Sequence, residues 1–141
     1  MLSAEERLEH LEKVFEDLEE LSIDTPIVVE GIRDIAALRR LGITKNVIAV
    51  HRGDTIFGFA EEMAKKHRNV IILTDWDRRG GTLARMLKEA LTANGVDANI
   101  RIRARIVILS KKEVKDIESM PTFIDRLRAS TPGQPRRIRS G

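Results

Sequence analysis

The chain has no cysteine and no tyrosine, and its aromatic residues are one tryptophan and four phenylalanines among 141 residues. Without cysteine there is no disulfide and no thiolate metal site, so a reducing compartment suits the protein and the cytoplasm is its expected location. Long apolar runs are missing as well: none approaches the roughly 20 residues of a membrane-spanning helix, and no membrane partner is expected. The first residues, "MLSAEERLEHLEKVFEDLEE", are acidic and amphipathic where a secretory leader is basic and then apolar, so no leader is read there. What is present, 42% hydrophobic and 33% charged residues, describes one globular domain able to bury a core of its own.

The net charge of +3 hides an asymmetry. Residues 1–20 hold eight acids and two bases, whereas residues 101–141 hold eleven bases and four acids. A basic end attracts phosphate backbones with a salt-dependent affinity. A solvated surface, or an electrostatic match between the two ends, is the plainer explanation.

Apolar periodicity gives the organisation. Ser3 and Glu6 have capping-box spacing before a helix with Leu8, Leu11, Phe15 and Leu18 on one stripe. This segment, 1–24, either covers the sheet or serves as a docking element. "PIVVE" reads as a first strand with Pro26 at its start, and "GIRDIAALRRLG" as a helix closed by Gly42. "NVIAV" and "NVIILT" are further strands, separated by the helix "DTIFGFAEEMAKKH" capped by Asp54 or Thr55. "GGTLARMLKEALTANG" then places Leu83, Met86, Leu87, Ala90 and Leu91 on a helical face and stops at Gly95.

Such alternation predicts an α/β fold, with a central, mostly parallel four-stranded sheet covered by helices on both faces. "VDANIRIRARIVILS" is ambiguous: Ile100 and Ile102 alternate as in a strand, while Ile102, Ile106 and Leu109 could line a helix. A short fourth strand ending near residue 103 is the favoured reading. A C-terminal helix is expected within 119–130, around Phe123 to Leu127, and 131–141 has the composition of a flexible basic tail.

In an open parallel sheet, ligands gather beyond the carboxyl ends of the strands, so the acids there matter most. Glu30 ends the first strand, and Asp75 and Asp77 follow the third in "IILTDWDRRGGT". Carboxylates sharing one crevice raise one another's pKa unless a counter-charge intervenes. A hard divalent cation supplies that charge, and with no cysteine and no paired histidines the donors favour Mg2+, or Mn2+, over zinc. Glu30, on the other strand, could move a proton at a scissile phosphate. Arg52, Arg78 and Arg79 are candidates for holding phosphate, and Gly80 with Gly81 turns the chain into a helix whose first amides add an anion site. Gly31, Asp34, Gly53 and Asp54 are expected as supporting residues at the same rim.

Each of these has a plain structural alternative. Asp-x-Asp after a strand is also the form of a capped turn, Asp34 could form an ion pair along its helix, and Arg78 with Arg79 could be a solvated pair. Trp76 either packs at the sheet edge or offers a face to a base, with packing preferred. His51 and His67 read as structural.

Together these residues resemble the Toprim domain, the catalytic module of bacterial-type primases, topoisomerases, old-family nucleases, recombination-repair proteins and the nuclease that matures 5S ribosomal RNA. The family pattern is a glutamate ending the first strand and an Asp-x-Asp ending the third, here Glu30 in "IVVEGIRDIAAL" and Asp75 with Asp77 in "VIILTDWDRRGGTLARML". Gly31 and Asp34 match its "EGxxD" form, and Gly80 its glycine after the aspartates. The resemblance spans residues 25–118 and is closest to small stand-alone members of the primase and 5S-maturation type. It implies a compact Rossmann-like fold, a magnesium ion at Asp75 and Asp77 with Glu30 beside it, and Glu30 as general acid or base in phosphodiester cleavage or formation on RNA or DNA.

With no tyrosine, this chain alone cannot form a tyrosyl-DNA intermediate. The stretch "KKEVKDIESMP" departs from the corresponding primase motif, and no role is transferred to Lys115, Asp116 or Glu118. Two rivals stand beside the nuclease or nucleotidyl-transferase reading. One is a non-catalytic nucleic-acid-binding subunit that works with protein partners of a processing complex. The other is a haloacid-dehalogenase-like phosphohydrolase, which "DWDRRGGTL" resembles in part but with two inserted residues and on a later strand.

Overall fold

A computed structural model of the chain describes residues 2–50, 55–110 and 112–131. Four strands, β1 (Ile27–Val29), β2 (Val47–Ala49), β3 (Asn69–Ile72) and β4 (Asp97–Asn99), form one sheet in the order β2-β1-β3-β4, and every pairing is parallel. Ile27 registers with Val47 on one side and Ile71 on the other, while Ile71 registers with Asn99. Among the described residues, six helices surround the sheet: α1 (Ala4–Leu21), α2 (Ile32–Arg40), α3 (Ile56–Lys66), α4 (Arg78–Ala93), α5 (Arg101–Ser110) and α6 (Met120–Ala129). This is the α/β fold that the alternation predicts.

Strand residues point alternately to two apolar layers, as a period of two requires. Ile27, Val29, Ile71 and Leu73 join a layer built with α1, α2, α5 and α6. Val28, Val70 and Ile72 join one built with α3 and α4. In α1 the capping box is closed, with the Glu6 amide donating to Ser3 Oγ at 3.2 Å and the Ser3 amide donating to Glu6 Oε1 at 3.2 Å. Its stripe of Leu8, Leu11, Phe15 and Leu18 is fully buried in the larger layer. Gly42 and Gly95, at φ 93° and 81°, end α2 and α4 in the left-handed region where a side chain would be strained.

Two expectations need correction. The fourth strand stops at Asn99, and residues 101–110 are helix. The Asn99 side-chain oxygen accepts the amides of Arg101 and Ile102 at 2.8 and 3.4 Å, which starts α5 and puts Ile102, Ile106 and Leu109 on its buried face. In α4 the buried stripe is Gly80, Ala84, Leu87 and Leu91, and Met86 is exposed.

Candidate metal centre

β1 and β3 are neighbours at the middle of the sheet, and their outgoing connections lead to opposite edges: β1 runs on to β2, β3 to β4. Their carboxyl ends therefore open a crevice at the switch point of the topology. Glu30 is the first residue beyond β1, and the Asp75 amide donates to its Oε2 at 2.8 Å. The two carboxylates lie close enough for a side-chain hydrogen bond. Burial, and after it that bond, push the Asp75 carboxyl up to about 7; the charges of Glu30 and Asp34 act in the same direction. The Ile117 amide, donating to Asp75 Oδ1 at 3.2 Å, acts against them.

Asp34 is buried beside this pair, and its Oδ2 accepts the Gly31 amide at 3.1 Å. Burial raises its pKa, the Gly31 amide opposes, and the charges of Glu30, Glu118 and Asp116 raise it further. The ion pair of this region runs instead between Arg33 and Glu118, at 3.8 Å between exposed groups. Asp77 stands apart from the pair. It is exposed and caps α4, with Oδ1 accepting the Gly80 amide at 2.7 Å.

Glu30, Asp34 and Asp75 thus line one groove, while Asp77 sits two residues further along the chain in a cap. Among the described residues no three acidic or histidine side chains are already closed into a metal cage. The donors present still fit a hard divalent ion. A carboxyl held near neutrality by burial and a second carboxylate is a place where two positive charges can replace a shared proton. Magnesium is commonly held by one or two carboxylates with several waters, so a closed cage is not required.

Gly80 has a definite structural task. A Cβ there would stand 1.9 Å from the Asp75 carbonyl oxygen, and Thr74 Oγ1 donates to the Gly80 carbonyl at 2.8 Å. Only a glycine lets the first turn of α4 lie against the aspartate backbone. Arg78 and Arg79, the first two residues of α4, are exposed and form no ion pair among the described residues. They line an open groove of about 870 Å³ together with Glu30, Gly31, Asp34 and Asp75. Arg52, Gly53 and Asp54, with His51, lie outside the described residues.

Two supports escaped the sequence reading. Arg103, on α5, donates from Nε to the Thr74 carbonyl at 3.0 Å and from a terminal nitrogen to the Asp75 carbonyl at 2.7 Å. Burial lowers its pKa, and the charges of Asp75, Glu30 and Asp77 oppose that. The second support is the segment after α5. The Trp76 amide donates to the Lys115 carbonyl at 2.8 Å, its indole to the Val114 carbonyl, and the Ile117 amide to Asp75. Trp76 packs against the larger apolar layer.

A model of the Toprim domain matches residues 24–101, more than half of the chain. The chain belongs to the Toprim family. It is 42% identical over 126 residues to a UPF0292 protein of Methanosarcina acetivorans, covering 89% of this chain and 87% of the relative. It is 37% identical over 124 residues to a UPF0292 protein of Methanocaldococcus jannaschii, covering 85% and 96%. A solved structure of an Aquifex aeolicus protein superposes with a TM-score of 0.66 at 29% identity, over 77% of this chain and 96% of that one. Toprim domains bind divalent metal ions, and membership suggests a metal-dependent part in nucleic-acid processing. No helix among the described residues is long and apolar enough to cross a membrane.

Proposed function

We propose that this Toprim protein is a magnesium-dependent enzyme, with manganese as a substitute, that cuts or joins nucleic-acid phosphodiesters as a nuclease or nucleotidyl transferase. The observation that carries the reading is the Glu30–Asp75 pair at the carboxyl ends of β1 and β3, joined through a 2.8 Å bond and containing a carboxyl raised to about 7. Asp75 would hold the ion, with Asp77 released from its cap to join it and Glu30 alongside. A bound magnesium ion supplies charge neutralisation at the phosphoryl oxygens.

The chain's own side chains carry the rest. Arg78 and Arg79 present forked donors to phosphate oxygens at the groove. The first amides of α4 lie beside them. Glu30 accepts a proton from the attacking hydroxyl or water, or returns one to the leaving oxygen. Arg103 holds the Thr74 and Asp75 carbonyls, so the Asp75 side chain stays aimed at the rim.

Variants separate these roles. Asp75→Asn is expected to abolish magnesium binding and all turnover of labelled RNA and DNA. Asp77→Asn keeps the cap, since asparagine caps as well as aspartate, and is expected to lose the ion nonetheless. Glu30→Gln is expected to bind magnesium and not turn over; full activity in it would remove the proton-transfer role. One observation favours a second reading, nucleic-acid binding without turnover inside a processing complex: Asp77 serves as a helix cap rather than facing Glu30 and Asp75. Retained binding with no magnesium-dependent cleavage or joining would establish that reading instead.

A further inference from the structure

The groove at the metal centre has an apolar wall that neither the carboxylates nor the arginines explain. Ile32, the first residue of α2, is 79% exposed, and Met86, on α4, is 46% exposed. Both line the groove that contains Glu30, Asp75, Arg78 and Arg79, and Leu83 lines it with them. Large aliphatic side chains held in water beside a charged site form a surface that a wholly ionic ligand would leave uncovered.

A nucleotide has both characters. Its phosphate suits the guanidinium forks, and the flat face of its base is an apolar surface. In a duplex that face is stacked on its neighbours, and it becomes available only when the strand is unpaired. Trp76 is not the partner for it, because its indole is tied to the Val114 carbonyl and packed on the core.

We propose that the groove seats an unpaired nucleotide, with Ile32, Leu83 and Met86 against the face of one base and Arg78 and Arg79 on the phosphate beside Asp75. The substrate class is then single-stranded nucleic acid, or a strand end that is not paired. This rests on the phosphodiester reading and narrows it. The arginines and carboxylates act on any strand, and the aliphatic wall selects the unpaired one.

The test is fluorescence anisotropy of the full chain in magnesium at low salt, with three labelled probes of one sequence: a single strand, the same strand made abasic, and its duplex. Each is prepared as RNA and as DNA, and strand integrity is read on a gel after each titration. The single strand is expected to bind about fivefold to tenfold more tightly than the abasic strand or the duplex. Ile32→Ser with Met86→Ser, two exposed positions whose replacement spares the core, should bring the single strand down to the abasic value and leave the abasic value unchanged. Arg78→Ala with Arg79→Ala should weaken all three probes alike. Equal affinity for the three probes, or an intact preference in the Ile32 and Met86 variant, would overturn the proposal. Absence of binding to any probe would remove the phosphodiester reading itself and this inference with it.

Discussion

The apolar layer under α1, α5 and α6 and the acidic rim above β1 and β3 use burial in opposite ways. In the layer, Leu8, Leu11, Phe15 and Leu18 of α1 meet Ile102, Ile106 and Leu109 of α5 and Phe123, Ile124 and Leu127 of α6, and removing them from water stabilises the fold. At the rim, burial raises the pKa values of Asp75 and Asp34, and so works against their charged forms. The layer fixes the backbone firmly enough for the rim to hold carboxylates that would otherwise separate. What the rim loses in stability is what makes it receptive to a divalent cation.

The largest expected effect lies in the layer and should leave the rim intact. Leu11→Ala, at a fully buried position, should destabilise the protein by about 2–5 kcal/mol in urea unfolding, with the magnesium affinity of the folded fraction unchanged. A loss of affinity in the folded fraction would show that the two regions are not separable. Gly80→Ala comes next and breaks their junction. Its Cβ cannot fit 1.9 Å from the Asp75 carbonyl, so a cost of about 1–3 kcal/mol is expected together with weakened metal binding, measured by urea unfolding and calorimetry. Unchanged metal binding would mean that the Asp75 backbone is not what α4 holds in place.

The third effect is a pH slope, spread over several pH units and so small at any one step. In metal-free buffer the unfolded chain releases the Asp75 proton near its ordinary value of 3.8, and the folded chain near 7. The folded state therefore holds a proton across that window that the unfolded state lacks. The stability this group contributes is full below about pH 4, falls as pH rises toward 7 and is flat above. Asp75→Asn should remove this part of the slope in urea midpoints taken from pH 4 to 8; an identical slope in the variant would refute the raised carboxyl.

Much of this was legible in the sequence. Three apolar runs, each followed by a helical pattern, two of these closed by Gly42 and Gly95, indicate the parallel sheet, and Glu30 with Asp75 marks the rim. The end of the fourth strand, at Asn99 and not near residue 103, was misjudged because Ile100 and Ile102 alternate over the few residues where strand and helix periods look alike. Asn99 as a helix cap, with Ile102, Ile106 and Leu109 at spacings of four and three, was the signal that could have decided it. Reading those residues as strand also hid Arg103, whose reach to the Thr74 and Asp75 carbonyls depends on α5. The clasp of Val114, Lys115 and Ile117 on Trp76 and Asp75 was not legible at all, because these three residues hold on through their main chain, which leaves no pattern in their side-chain types.

The central claim, that Glu30 and Asp75 form a divalent-cation centre, is tested most directly by calorimetric titration of manganese into the intact protein. Titrations in two buffers of different ionisation heat, at pH 6.5 and at pH 8, count the protons released. The account predicts about one ion per chain, proton release at pH 6.5 that fades by pH 8, and no such binding in Asp75→Asn. Equal binding in Asp75→Asn, or binding without proton release at pH 6.5, would contradict it.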